Sequence, residues 1–113
     1  MRLKELPDRE HARVDDAKVR DYLLALNHPD GRSKAEFFFR FGFKAEEPGW
    51  LSVALLEIGV SNPVVRVIRS QYGVRYTVDG RLRAPDGRRP MVRTVWIATP
   101  ETKGPRLITA YPL

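Results

Sequence analysis

From Tyr72 to Tyr111 the chain alternates runs rich in Val, Ile, Thr, Tyr and Trp with the breakers Gly80, Pro85-Asp86-Gly87 and Gly104-Pro105. β-Branched and aromatic residues fit a pleated surface, and breakers at this spacing turn the chain back on itself, so the stretch predicts an antiparallel meander. Seven of its residues are arginine. A basic sheet is therefore expected at the centre of the fold, with everything before it as helical support.

The strands are expected at Gly73 to Leu82, Pro90 to Ala98 and Arg106 to Tyr111, the first two joined by a turn at Ala84-Pro85-Asp86-Gly87. There proline presets φ and glycine supplies the positive φ that closes the hairpin. Val64 to Ser70 reads either as a fourth strand or as one strand continuous with the next through a bulge at Gly73. Alternation places Val92, Thr94 and Trp96 on one face and Arg93, Val95 and Ile97 on the other, and leaves open which face is covered. On the last strand it groups Leu107, Thr109 and Tyr111 against Arg106, Ile108 and Ala110.

Upstream, Leu3 to Arg13 reads as an extended arm or short edge strand. Asp15 and Asp16 suit a helix N-terminus, and Val19, Tyr22, Leu23 and Leu26 follow at helical spacing, which predicts a helix over Asp16 to Leu26. The breaker loop Asn27-His28-Pro29-Asp30-Gly31 stops it. Ser33 with Glu36 predicts a capping box for a helix carrying Phe37, Phe38 and Phe41, ended by Gly42 with Phe43 tucked back beyond the cap. Pro48-Gly49 opens a third helix, Trp50 to about Gly59, with Leu51, Ala54, Leu55 and Ile58 on its inner stripe.

The reading is therefore an α+β fold, N-terminal helices packed on one face of a four-stranded antiparallel sheet. At 113 residues and 42% hydrophobic, one domain is expected over 1–113, with a helical half (1–61) and a basic sheet half (62–113). Residues 1–61 hold ten Lys plus Arg and eleven Asp plus Glu, a charge of −1; residues 62–113 hold ten and three, a charge of +7. Nine of those ten cations are arginine, whose planar fork pairs with phosphate and stacks on bases, so a nucleic-acid partner is expected in preference to a merely solubilising face.

Absence of cysteine excludes disulfides, thiolate metal sites and a cysteine nucleophile, and fits a cytoplasmic location. No apolar run approaches the ~20 residues that span a bilayer, and MRLKELPDREHAR lacks the apolar region of a signal peptide, so no membrane association is expected. His11 and His28 have no metal-ligand spacing, and no phosphate-binding glycine loop, serine elbow or dinucleotide fingerprint occurs, so no cofactor is expected. What remains is a set of cations, strand hydroxyls and one loop histidine. His28 reads as a general base near Lys34, or as a cap on the preceding helix C-terminus.

The segments HPDGRSKAEFFFRFGF, YGVRYTVDGRL, GRRPMVRTVW and PRLITAYP together resemble an uncharacterised family of small bacterial domains with the pattern HPxGRxKA, VRTVW and PRLVTAYP. The resemblance runs from Leu6 onward. Helices followed by a four-stranded sheet, an early lysine and a closing Thr-x-Tyr-Pro are similar to small ribonuclease toxins of the barnase, EndoU, colicin E5/D and RelE type. That likeness implies a metal-independent endoribonuclease toxin in which the ribose 2′-hydroxyl attacks the adjacent phosphate. It implies His28 as acid or base, Lys34 and Arg93 holding the phosphate, and Thr109 with Tyr111 orienting it. Arg75, Trp96 and Arg106 would bind substrate. The implied partners are RNA, tRNA among the candidates, and an acidic antitoxin or immunity protein. EndoU-type enzymes use two histidines, whereas RelE-type toxins manage with arginine, lysine and tyrosine. The rival expectation is a non-enzymatic interaction module whose basic sheet binds an acidic partner protein or nucleic acid.

Overall fold

In the computed structural model, which describes residues 4–113, helical segments precede one four-stranded antiparallel sheet, an α+β fold. The sheet is a meander of β1 (Val64–Ser70), β2 (Gly73–Arg81), β3 (Met91–Ala98) and β4 (Arg106–Pro112), in that spatial order. Gly73, at φ 138°, follows a two-residue turn, so β1 and β2 are separate strands of a hairpin. The turn at Ala84 to Gly87 closes with the Gly87 N–H on the Ala84 carbonyl at 3.1 Å and Gly87 at φ 89°.

The covered face of β3 is the one bearing Val92, Thr94 and Trp96, all fully buried. Thr94 Oγ1 donates to the Val78 carbonyl at 2.6 Å and accepts from Trp96 Nε1 at 2.8 Å, which satisfies the polar atoms of this face internally. Trp96 seats on the last helix at Gly59, where a Cβ would come within 2.3 Å of the indole. That helix runs Pro48–Ser61, with Pro48 in the first turn and Leu51, Ala54, Leu55 and Ile58 buried along the expected stripe.

Three local expectations are corrected. The first helix, α1 (Asp16–Lys18), continues as a π-helical turn over Val19–Leu23, with the Leu24 N–H bonded five residues back to the Val19 carbonyl at 2.8 Å. The wider winding breaks the 3.6-residue period, so Leu24 is buried and Leu26 is 51% exposed. The second helix, α2 (Arg32–Arg40), starts at Gly31, with no side-chain cap; Ser33 lies inside it, and Glu36 pairs with Arg32 at 3.1 Å instead of closing a capping box. Its other end is as expected: Gly42, at φ 99°, lets the Phe43 N–H reach the Phe38 carbonyl at 3.3 Å, and Phe43 is buried. The helix Pro48–Ser61 is α3.

The third correction is on β4. Val95 pairs with Thr109 but Trp96 pairs with Leu107, so Ile108 is an extra residue in a β-bulge. The bulge breaks the alternation: Leu107 and Ala110 both face the core, while Thr109 and Tyr111 share the open face with Arg106. Leu3, where the expected N-terminal arm begins, lies outside the described residues; further on, a 3₁₀ turn at Arg9–His11 leads to Arg13, which makes a single parallel bridge to Arg106. Among the described residues no helix is long and apolar enough to cross a membrane.

Candidate active site

The π turn matters because of where it sends Tyr22. The phenol reaches over the edge strand, and its hydroxyl lies 3.0 Å from Thr109 Oγ1. Around the same ring sit the imidazole of His28, edge-on at 4.9 Å between centroids, and the ammonium groups of Lys34 and Lys18, at 5.4 and 5.8 Å from the ring centre. Lys34 Nζ also donates to the Asp30 carbonyl at 2.9 Å, and Lys18 Nζ to the Ile108 carbonyl at 3.1 Å, the carbonyl of the bulged residue. Sequence positions 18, 22, 28, 34 and 109 thus meet around one aromatic ring.

Gly31 makes the meeting sterically feasible. A Cβ there would stand 2.1 Å from the Tyr22 carbonyl oxygen, so only glycine lets the His28 loop close on the π turn. Within the loop, His28 Nδ1 accepts from the backbone N–H groups of Asp30 and Gly31 at 3.0 and 3.1 Å. With Nδ1 occupied as an acceptor, the neutral ring carries its proton on Nε2. His28 therefore serves the start of α2, rather than capping the helix before it, and presents an N–H donor to whatever binds at Nε2.

Next along the open face of β4 is a second group. Arg93 and Tyr111 are cross-strand partners, as are Arg93 and Asp79. Arg93 grips Asp79 with Nε on Oδ1 at 2.8 Å and Nη2 on Oδ2 at 2.9 Å. That charge-assisted pair pushes the guanidinium pKa still higher, with smaller help from Tyr111. Two of its five N–H donors are spent on Asp79, leaving three for another ligand.

The remaining expected residues separate. Arg75 is exposed on the open face, opposite Ile97, which is itself opposite Arg106. Arg106 borders a cleft of about 510 Å³ that it shares with Arg13, Lys103 and His11, and with Glu10 and Glu101. Trp96 is corrected outright: fully buried against Gly59 with its N–H on Thr94, it has no face to offer a base. Tyr22, Lys18 and Asp79 are the members that spacing did not single out. Tyr22 falls at helical spacing in an apolar stripe, yet a phenol in such a stripe must find a partner for its hydroxyl, and that requirement is the signal it carries.

No three His, Asp or Glu side chains gather as metal ligands among the described residues. The fold itself is shared with known structure. A chain from the structure of a contact-dependent growth inhibition toxin–immunity protein complex from Klebsiella pneumoniae 342 superposes with a TM-score of 0.70 at 20% identity, over 93% of this chain and 96% of that one. A family model described as a domain of unknown function, DUF6883, matches residues 5–113, and the chain belongs to that family. No curated protein matches it.

Proposed function

We propose that this chain is a metal-independent endoribonuclease toxin that cleaves RNA, with tRNA among its targets, and acts in the cytoplasm under the control of an acidic partner protein. The observation that carries the reading is the convergence of His28, Lys34 and Thr109 around Tyr22, beside Tyr111 and Arg93 on the same sheet face. In the proposed reaction the 2′-oxygen bonds to phosphorus and the bond from phosphorus to the 5′-oxygen breaks, leaving a cyclic phosphate and a 5′-hydroxyl. The Nε2–H of His28 donates a hydrogen bond to the leaving 5′-oxygen, and the Lys34 ammonium, replenished from solvent, supplies the proton that oxygen takes up. The Tyr22–Thr109 hydroxyl pair, in which either oxygen can donate, relays the 2′-hydroxyl proton towards solvent. Lys34 and Lys18 supply the positive field for the crowded phosphorane, and the three unspent N–H donors of Arg93, with Tyr111, orient a phosphate oxygen. Arg75 and Arg106 would track the strand on either side of Ile97. The toxin part of the reading is supported by a similar fold in a toxin–immunity protein complex.

A second reading, a non-enzymatic module binding RNA or an acidic protein, is favoured by one observation. Arg66, Arg75 and Arg106 are exposed on the open face and form no ion pair among the described residues. Purified protein incubated with total RNA and tRNA in excess EDTA separates the two. The nuclease gives discrete fragments with cyclic-phosphate ends, reduced at least ~100-fold in rate by His28→Ala or Lys34→Ala. The module gives uncut RNA whose gel shift weakens with salt.

A further inference from the structure

Among the described residues β1 is a sheet edge left almost uncovered. Apart from the Val64 N–H, which meets the Lys4 carbonyl at 2.8 Å, no described residue pairs with its outer side. The opposite edge, on β4, is by contrast partly closed by the bridge to Arg13. Yet β1 is not a polar strand. Val65, Val67 and Ile68 are 48%, 46% and 43% exposed, and Tyr72 in the adjoining turn is 74% exposed. A seven-residue edge of this kind, without proline and with apolar side chains on both faces, is a template for another strand.

Charge selects the occupant. Between the apolar residues stand Arg66 and Arg69, and β1 contains no carboxylate. A second copy pairing antiparallel about Val67 would place the two Arg66 side chains on neighbouring diagonal positions and run four arginines along one ribbon with no compensating acid. A partner strand alternating apolar residues with Asp or Glu meets the same edge with its acids beside Arg66 on the open face, and sets only apolar residues beside Arg69 on the other. We infer that the outer edge of β1, Val65 to Ser70, is the docking surface for an acidic, apolar-alternating β-strand of a partner protein, added antiparallel or parallel to the sheet. This rests on the reading of the chain as one held by an acidic partner, and not on the ribonuclease chemistry.

The probe is a pair of synthetic ten-residue peptides, one alternating Val with Glu and the other Val with Lys, titrated to millimolar concentration into isotopically labelled full-length protein. Amide chemical shifts are then mapped by NMR. The inference predicts that the Val/Glu peptide shifts the amides of Val65 to Ser70, that salt weakens the effect, and that the Val/Lys peptide leaves them in place. In the double variant Arg66→Glu, Arg69→Glu, which changes only exposed side chains, the preference should reverse to the Val/Lys peptide. Shifts confined to the Tyr22–Thr109 region, or none on β1 at saturation, overturn it. So do β1 shifts that depend on protein concentration alone, which assign the edge to a second copy. Cleavage of RNA in EDTA is scored separately, so loss of that activity reading leaves this result standing.

Discussion

Tyr22 connects the elements of the site, and its hydroxyl can be removed without disturbing its ring. In Tyr22→Phe the edge contact with His28 and the two ammonium groups over the ring persist, while Thr109 Oγ1 loses its partner. The group is half-buried, so the lost hydrogen bond costs about 1 kcal/mol of stability. If the hydroxyl relays the 2′-hydroxyl proton as proposed, the cleavage rate falls ~10- to 100-fold; single-turnover kinetics beside a urea melt measures both. Gly31→Ala has the opposite character. Its methyl would collide with the Tyr22 carbonyl at 2.1 Å, in backbone that has no side chain to swing aside. The His28 loop must then lift from the π turn, lowering stability by ~2 kcal/mol or more together with activity, which a denaturant midpoint and the same kinetics will register.

Elements set what composition and spacing alone cannot. The strands were legible because Val, Ile and Thr runs are bounded by Pro85-Asp86-Gly87 and Gly104-Pro105, chemistry that acts within four residues. The stripe of α3 was legible because its 3.6-residue period is unbroken. The path to Tyr22 and Thr109 was not, since each sits beside an inserted irregularity, the π turn at Val19–Leu23 and the bulge at Ile108. One additional residue in either element rotates all that follows, and alternation read from sequence has no means of counting it. Equally illegible was the burial of Trp96, which is fixed by a gap at Gly59 on a helix far away in the chain. His28 and Lys34 were singled out from the loop's residue types and a family resemblance, whereas their common partner was hidden in an apolar pattern.

The β2–β3 turn carries a pH-dependent contact at this same scale. Arg88 Nε donates to Asp86 Oδ2 at 2.7 Å and its backbone N–H to Oδ1 at 2.9 Å, while Nη2 donates to the Arg40 carbonyl at the end of α2. The side-chain bond from Arg88, then the backbone bond, hold the Asp86 carboxyl pKa below its ordinary value. A depressed carboxyl contributes stability above the unfolded-state pKa and loses it as pH falls through the lower folded value. Wild type should therefore lose stability relative to Asp86→Asn as pH drops from neutral to below ~3.9. Parallel thermal melts of the two proteins across that range check the sign, and equal slopes would remove the contact from the account.

At the scale of the molecule, charge and apolar surface are divided by task. The helical half supplies Lys18, Tyr22, His28 and Lys34, and the sheet half meets them with Thr109, Tyr111 and Arg93 on the open face of β4 and β3. Positive charge on that face, from Arg75 and Arg106, would give the proposed RNA substrate a path past the site, and the β1 edge that the described residues leave open lies on the far side of the same sheet. On the proposed reading, catalysis and restraint fall at opposite edges of one meander. A partner bound at β1 would leave the Tyr22 cluster exposed, so inhibition by it must involve its covering the sheet face between the two edges.

The most direct test of the central claim uses an oligodeoxynucleotide carrying a single internal ribonucleotide, incubated with the full-length protein in excess EDTA. The account predicts one cut, immediately 3′ of the ribose, leaving a cyclic phosphate on one product and a 5′-hydroxyl on the other. It also predicts no cut when that ribose is 2′-deoxy or 2′-O-methyl. An uncut strand, or cleavage that ignores the 2′-hydroxyl, would contradict it and leave the chain as a binding module.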